Sequence, residues 1–138
     1  MKFIRFLIIL LPIFLLALTG GMLFYSFYVV KDVRIIEMKA KVGDVYGLDV
    51  NSTAISFGII PNYGNSERRM TIRNAYNIPL KVSIKTSGDM AGWVYASNSS
   101  FILNPAEEKE ITFNAAPKMD VAQGSHKGTI KITFTRIL

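Results

Sequence analysis

From Phe6 to Val30 the chain runs without a single charged side chain. A bilayer core takes about 20 apolar residues in a helix, so this stretch is long enough to cross one with some tilt. Pro12 and the pair Gly20-Gly21 would break a helix in water. In lipid such residues are tolerated, because neighbouring groups and local adjustments re-satisfy the freed backbone. Tyr25 and Tyr28 fall near the far end, where amphipathic rings favour the interface. The segment is apolar all round, which argues against a helix that buries one face in a soluble core. A cleaved signal peptide is the rival reading, with Lys2 and Arg5 as its basic start. Ala17-Leu18-Thr19 is a poor cleavage site, and Met22 to Val30 would leave a greasy N-terminus behind. The reading taken is an uncleaved anchor in a cell membrane, crossing once, with a basic tail at 1–5 and a transmembrane helix at 6–30.

Orientation draws two signals. Lys31, Arg34, Lys39 and Lys41 outnumber the basic residues ahead of the span, which favours a cytoplasmic C-terminal part. The basic start followed directly by an apolar run has the form of a signal anchor, and large domains cross largely regardless of charge. Two N-x-[ST] sequons, at Asn51 and Asn98, also fit an exterior domain. The expectation is that the C-terminal domain is extracytoplasmic.

Beyond the span the hydrophobic period becomes two. Apolar residues alternate with polar ones in Glu37–Val42, Arg69–Arg73, Leu80–Lys85, Glu110–Ala115 and Thr129–Thr135. Each such run is a strand with one dry and one wet face, the antiparallel pattern. Shorter apolar runs lie at Ala54–Ile60, Trp93–Tyr95 and Phe101–Leu103. Turn residues separate them at Pro61–Asn65, Asn74–Asn77, Ser87–Asp89, Asn104-Pro105 and Gly124-Ser125. Short strands at this spacing predict an all-β fold, an immunoglobulin-like antiparallel β-sandwich of about seven strands. Residues 31–44 serve as stalk and first strand, and 45–138 form the sandwich. The expected core includes Val82, Ile84, Ile111, Phe113, Ile130, Ile132 and Phe134, with Trp93 and Tyr95 beside it, facing one way if they share a strand; the alternative is an exposed aromatic pair for a partner.

Several stretches resemble Hydin-type (ASH-like) immunoglobulin-like modules. Ile55-Ser-Phe-Gly-Ile-Ile-Pro-Asn-Tyr-Gly-Asn is similar to their entry turn. Thr71-Ile-Arg-Asn followed by Ile78-Pro-Leu-Lys-Val-Ser-Ile resembles their central pair of strands. Asn104-Pro-Ala-Glu-Glu and Pro117 through Ile132 resemble a later turn and the last strand. The resemblance covers roughly 54–135 and implies a module of membrane-anchored surface proteins of archaea and bacteria. It implies a fold and turns and no chemistry.

Catalytic chemistry finds few materials. There is no cysteine and one histidine, His126, with no carboxylate within five residues. Glu107, Glu108, Glu110 and Asp120 read as a solvated strand entry rather than a cation site, and Asp44, Asp49 and Asn51 lack calcium-loop spacing. No nucleotide, zinc or nucleophile-elbow motif occurs. The chain is therefore expected not to be an enzyme, with no catalytic residue, metal or cofactor.

Lys and Arg total 16 against 10 Asp and Glu, without the aromatic interleaving of nucleic-acid binders, so no nucleic acid is expected. Arg68 and Arg69, with Arg73, are the densest basic spot. They read as a solvated face or as a contact for anionic head groups, wall polymer or glycan. The segment Ile35–Val42, with Met38, Ala40 and Val42 on one apolar face, is the candidate edge for strand addition or an internal strand. The expected partners are the lipid bilayer and another membrane or envelope protein, and the chain can oligomerise. The expected function is non-catalytic docking or structural interaction. The alternative is a subunit of a surface appendage or secretion machine, such as a pilus, a filament or an archaellum-stator-like bridge.

Overall fold

The computed structural model describes residues 1–43 and 54–137. Helix α1 spans Lys2–Phe24 and closes in one π-helical turn, Tyr25–Val29. The helical stretch Phe3–Val29 is long and apolar enough to cross a membrane, and none of its apolar window is buried against the rest of the chain. Pro12 lies inside α1 without ending it. The Thr19 hydroxyl donates back to the Leu15 and Leu16 carbonyls, each at 3.0 Å.

Eight strands follow: β1 Val30–Val42, β2 Ile55–Ile60, β3 Ser66–Arg73, β4 Leu80–Gly88, β5 Val94–Ala96, β6 Ser100–Leu103, β7 Glu108–Ala115 and β8 Gly124–Arg136. They form two sheets. One has the order β2-β1-β8-β4-β6, the other β3-β7-β5. The period-two residues of both sheets meet in one core. Val82, Ile84, Ile130, Ile132 and Phe134 come from the larger sheet, and Ile72, Ile111, Phe113 and Ala115 from the smaller. Every residue expected in the core is buried except Tyr95, which faces solvent. The pairing is antiparallel except between β1 and β2, which run parallel.

Two close approaches set the shape of the larger sheet. Gly128 of β8 lies opposite both Met38 of β1 and Gly88 of β4. A Cβ on Gly128 would stand 2.6 Å from the Met38 methyl carbon and 2.7 Å from the Ser87 carbonyl oxygen. Only glycine fits there. In β2, Phe57 and Gly58 bulge where the register with β1 slips, and Gly58 takes φ 75°.

Two positive-φ positions fall on residues that carry a Cβ. Tyr63, rather than Gly64, is left-handed in the turn after β2, at φ 62°. Ala106 has φ 63° in the turn Asn104-Pro105-Ala106-Glu107, which the Glu107 N–H closes on the Asn104 carbonyl at 3.1 Å. Proline second and a left-handed third residue make this a type II turn.

The end of the sandwich nearest α1 is tied by one side chain. Asn74, fully buried, donates through Nδ2 to the carbonyls of Ile78 at 2.8 Å, Leu103 at 3.0 Å and Asn104 at 3.2 Å. Its Oδ1 accepts from the Tyr76 N–H at 3.0 Å, the local turn bond that asparagine favours. One residue thereby joins the β3–β4 and β6–β7 loops.

Candidate docking surfaces

Of the two readings of Ile35–Val42, docking edge or internal strand, the second half of the segment fits the internal strand. From Met38 to Val42, β1 is paired with β8 on one side and β2 on the other. Met38, Ala40 and Val42 point into the core and are buried. Alternation put these three on the apolar face correctly, but that face is the inside of the sandwich. The stretch read as stalk and first strand is strand from its start, because β1 begins at Val30 directly after the last helical turn.

The first half of β1 is different. From Val30 to Glu37 it pairs with β8 alone among the described residues. Ile35 there is 68% exposed.

Arg68 and Arg69 do not form one basic patch. Adjacent residues of a strand face opposite ways. Arg68 is half-buried, its Nε donating to the Ser56 carbonyl at 2.7 Å, so it laces β3 to β2. Arg69 faces solvent, 3.9 Å from Glu110. Arg73 pairs with Glu108 at 3.5 Å, directly across β3 and β7. On the outer face of the smaller sheet each of these two arginines thus lies beside a glutamate.

Trp93 and Tyr95 part company as well. Trp93 lies in the turn before β5, 4% exposed, and donates Nε1–H to the Asp89 carbonyl at 3.1 Å. Tyr95, in β5, is 54% exposed. His126 meets the Trp93 ring edge-on at 5.7 Å, and its Nε2 lies 2.7 Å from the Ala122 carbonyl oxygen, a packing role at the start of β8. Glu107 folds back onto Asn104, whose N–H reaches its Oε2 at 2.7 Å. Among the described residues no three His, Asp or Glu side chains gather as metal ligands. Asp44, Asp49 and the Asn51 sequon lie outside the described residues. Asn98 sits between β5 and β6, its Oδ1 accepting from the Ser100 N–H at 3.3 Å.

No protein-family model matches the chain, and no curated protein is significantly similar to it.

Two features of the surface become visible only with the strands in place. The first is the junction between helix and sandwich. Arg136, near the end of β8, lies over the Tyr28 ring at 4.3 Å, and Lys31 approaches the same ring at 5.5 Å. The Tyr76 hydroxyl donates to the Lys31 carbonyl at 3.4 Å, and Phe24 stacks on Tyr28 at 4.9 Å. A cation over an aromatic face contributes about 0.5–1 kcal/mol at exposed sites. The second is the outer face of the larger sheet, where lysines from β1, β8 and β4 come side by side. Sequence marks each lysine as outward-facing, but their adjacency depends on strand order and register.

Proposed function

We propose that this chain is a single-pass membrane anchor presenting a non-catalytic docking domain outside the cytoplasm. The observation that supports it most is the junction. The last helical turn passes into β1 with no linker, and β1 is an interior strand of the larger sheet over Met38–Val42. Tyr28, Lys31, Tyr76 and Arg136 then brace the sheet against the helix end. Anchor and domain are coupled as one mechanical unit, so a load on the domain passes into the helix. Such coupling suits a fixed docking point. Lys and Arg beside aromatic rings at the helix end also suit the head-group layer, where such side chains anchor spans.

The same stiffness suits a bridge within a surface appendage or secretion machine, and the two readings part by size. Extraction of the full chain from its native membrane in mild detergent, followed by sizing, tests them. A discrete complex containing this chain and a second component supports docking. A ladder of homopolymers supports the appendage reading. A monomer, under extraction that preserves a known membrane complex, overturns both.

A further inference from the structure

The outer face of the larger sheet places like charges directly opposite one another. Lys39 of β1 is in register with Lys127 of β8, and Lys131 of β8 with Lys85 of β4. Opposed like charges on neighbouring strands destabilise a sheet. Among the described residues Glu37, 3.9 Å from Lys39, is an acidic neighbour of this group. The smaller sheet shows that the chain can do otherwise, since its outer arginines lie beside Glu108 and Glu110.

The two pairs belong to a longer arrangement. Lys41 of β1 continues it at one end, opposite Ser125, and Lys81 of β4 at the other, opposite Thr135. The lysines therefore cross the sheet diagonally, from the level of Ser125 to that of Thr135 on β8, a length of roughly 33 Å. Between the charged rows lie hydroxyl rows, Ser83 opposite Thr133 and Ser87 opposite Thr129. Near the Lys39–Lys127 pair the surface dips into two hollows of about 340 and 240 Å³, with both lysines in the wall of each.

We infer that this diagonal is a binding track for a linear acidic glycan. Lysine is a compact point charge on a flexible stem, suited to carboxylates arriving at variable angles, whereas planar bidentate recognition calls for arginine. An anion set between two opposed lysines turns their repulsion into attraction to itself. The serine and threonine rows can exchange hydrogen bonds with the hydroxyls of such a polymer. The inference deepens the docking proposal and rests on its exterior placement.

Lipid head groups of the chain's own membrane reach only the Lys81 end of the track, which is level with Val30 through Thr135. The sheet meets the helix end through the start of β1 and the end of β8. Lys39 lies nine residues along β1 from Val30, roughly 30 Å of strand. Surface potential fades within a Debye length of about 8 Å.

The test uses the full chain in zwitterionic nanodiscs, with polygalacturonate as the probe. Comparison ligands are dextran and vesicles containing phosphatidylglycerol. Lys39→Gln/Lys127→Gln and Lys85→Gln/Lys131→Gln are compared with Arg69→Gln/Arg73→Gln on the other face. The expected result is salt-sensitive binding of polygalacturonate and none of dextran. Each lysine double variant should weaken it by about tenfold or more, and the arginine variant by less than about twofold. Relief of repulsion should leave the Tm of the lysine variants unchanged or raised, so misfolding cannot mimic the loss. Absence of binding, or equal binding by all variants, overturns the inference. So does binding confined to anionic vesicles, which would make the track a membrane contact. If the track fails while the detergent-extracted complex persists in the lysine variants, docking stands and its site is elsewhere.

Discussion

Replacing Asn74 with alanine should be among the costliest single changes at the helix-facing end of the sandwich. The side chain is fully buried and serves four backbone groups. Alanine removes every one of these bonds and offers nothing in return. Losing a bond to a part-buried group costs about 0.5–1.5 kcal/mol, while a buried carbonyl left without a donor costs about 1–3 kcal/mol. The Leu103 carbonyl is the buried partner, and the other three groups are part-buried. The expected loss is about 3–5 kcal/mol, a large share of the roughly 5–15 kcal/mol that holds a small domain together. Trp93 is the chain's only tryptophan and is buried. It bonds to the residue after β7, through the Ala116 N–H, whereas Asn74 bonds to the residue before β7, at Glu107. Its fluorescence therefore follows unfolding of the whole domain rather than fraying near Asn74. Urea titration of the full chain in detergent gives the difference directly. Asn77→Ala, in the same loop but exposed, is the control and should change stability by less than about 0.5 kcal/mol. Equal losses for the two variants would refute the assignment of Asn74 as the tie between loops.

Gly128→Ala should destabilise by about 1–3 kcal/mol, because the new Cβ meets a carbonyl oxygen of β4 that cannot move without shifting the strand; the same urea titration reads it. Ala106→Gly should stabilise by about 0.5–1 kcal/mol, since a left-handed alanine is strained and glycine is not; a Tm that falls would contradict the turn geometry. Ala40→Pro should unfold the whole domain, as it places proline in a strand paired on both sides. A cooperative transition of wild-type size in that variant would show β1 to be dispensable.

The apolar run and the alternating runs carried most of the architecture. Each of the eight strands lies on a run visible in the chain, because a half-buried strand must alternate. What alternation cannot say is which strand lies beside which. Met38, Ala40 and Val42 were placed on an apolar face, but whether that face looked inward or toward a partner depended on β2 and β8 flanking it. The parallel β1–β2 pair follows from tertiary packing and has no local signature. Arg68 and Arg69 were a different matter, since neighbouring strand residues face opposite ways and the rule already separated them. Trp93 escaped its apparent strand because the turn at Met90–Trp93, closed by the Trp93 N–H on the Met90 carbonyl at 3.2 Å, resets the alternation before β5. Tyr63 and Ala106 occupy left-handed positions that chain chemistry would assign to glycine. The opposed lysines of β1, β8 and β4 required the register itself.

The central claim is a domain held outside the cytoplasm by one span, and the absence of cysteine makes it directly measurable. Met119→Cys places a thiol on an exposed turn of the sandwich, and Phe3→Cys places one ahead of most of the span. Intact cells treated with a membrane-impermeant maleimide should label the Met119→Cys protein and spare the Phe3→Cys protein until the membrane is permeabilised. Labelling of Phe3→Cys in intact cells, with Met119→Cys protected until permeabilisation, would put the domain in the cytoplasm and contradict the account.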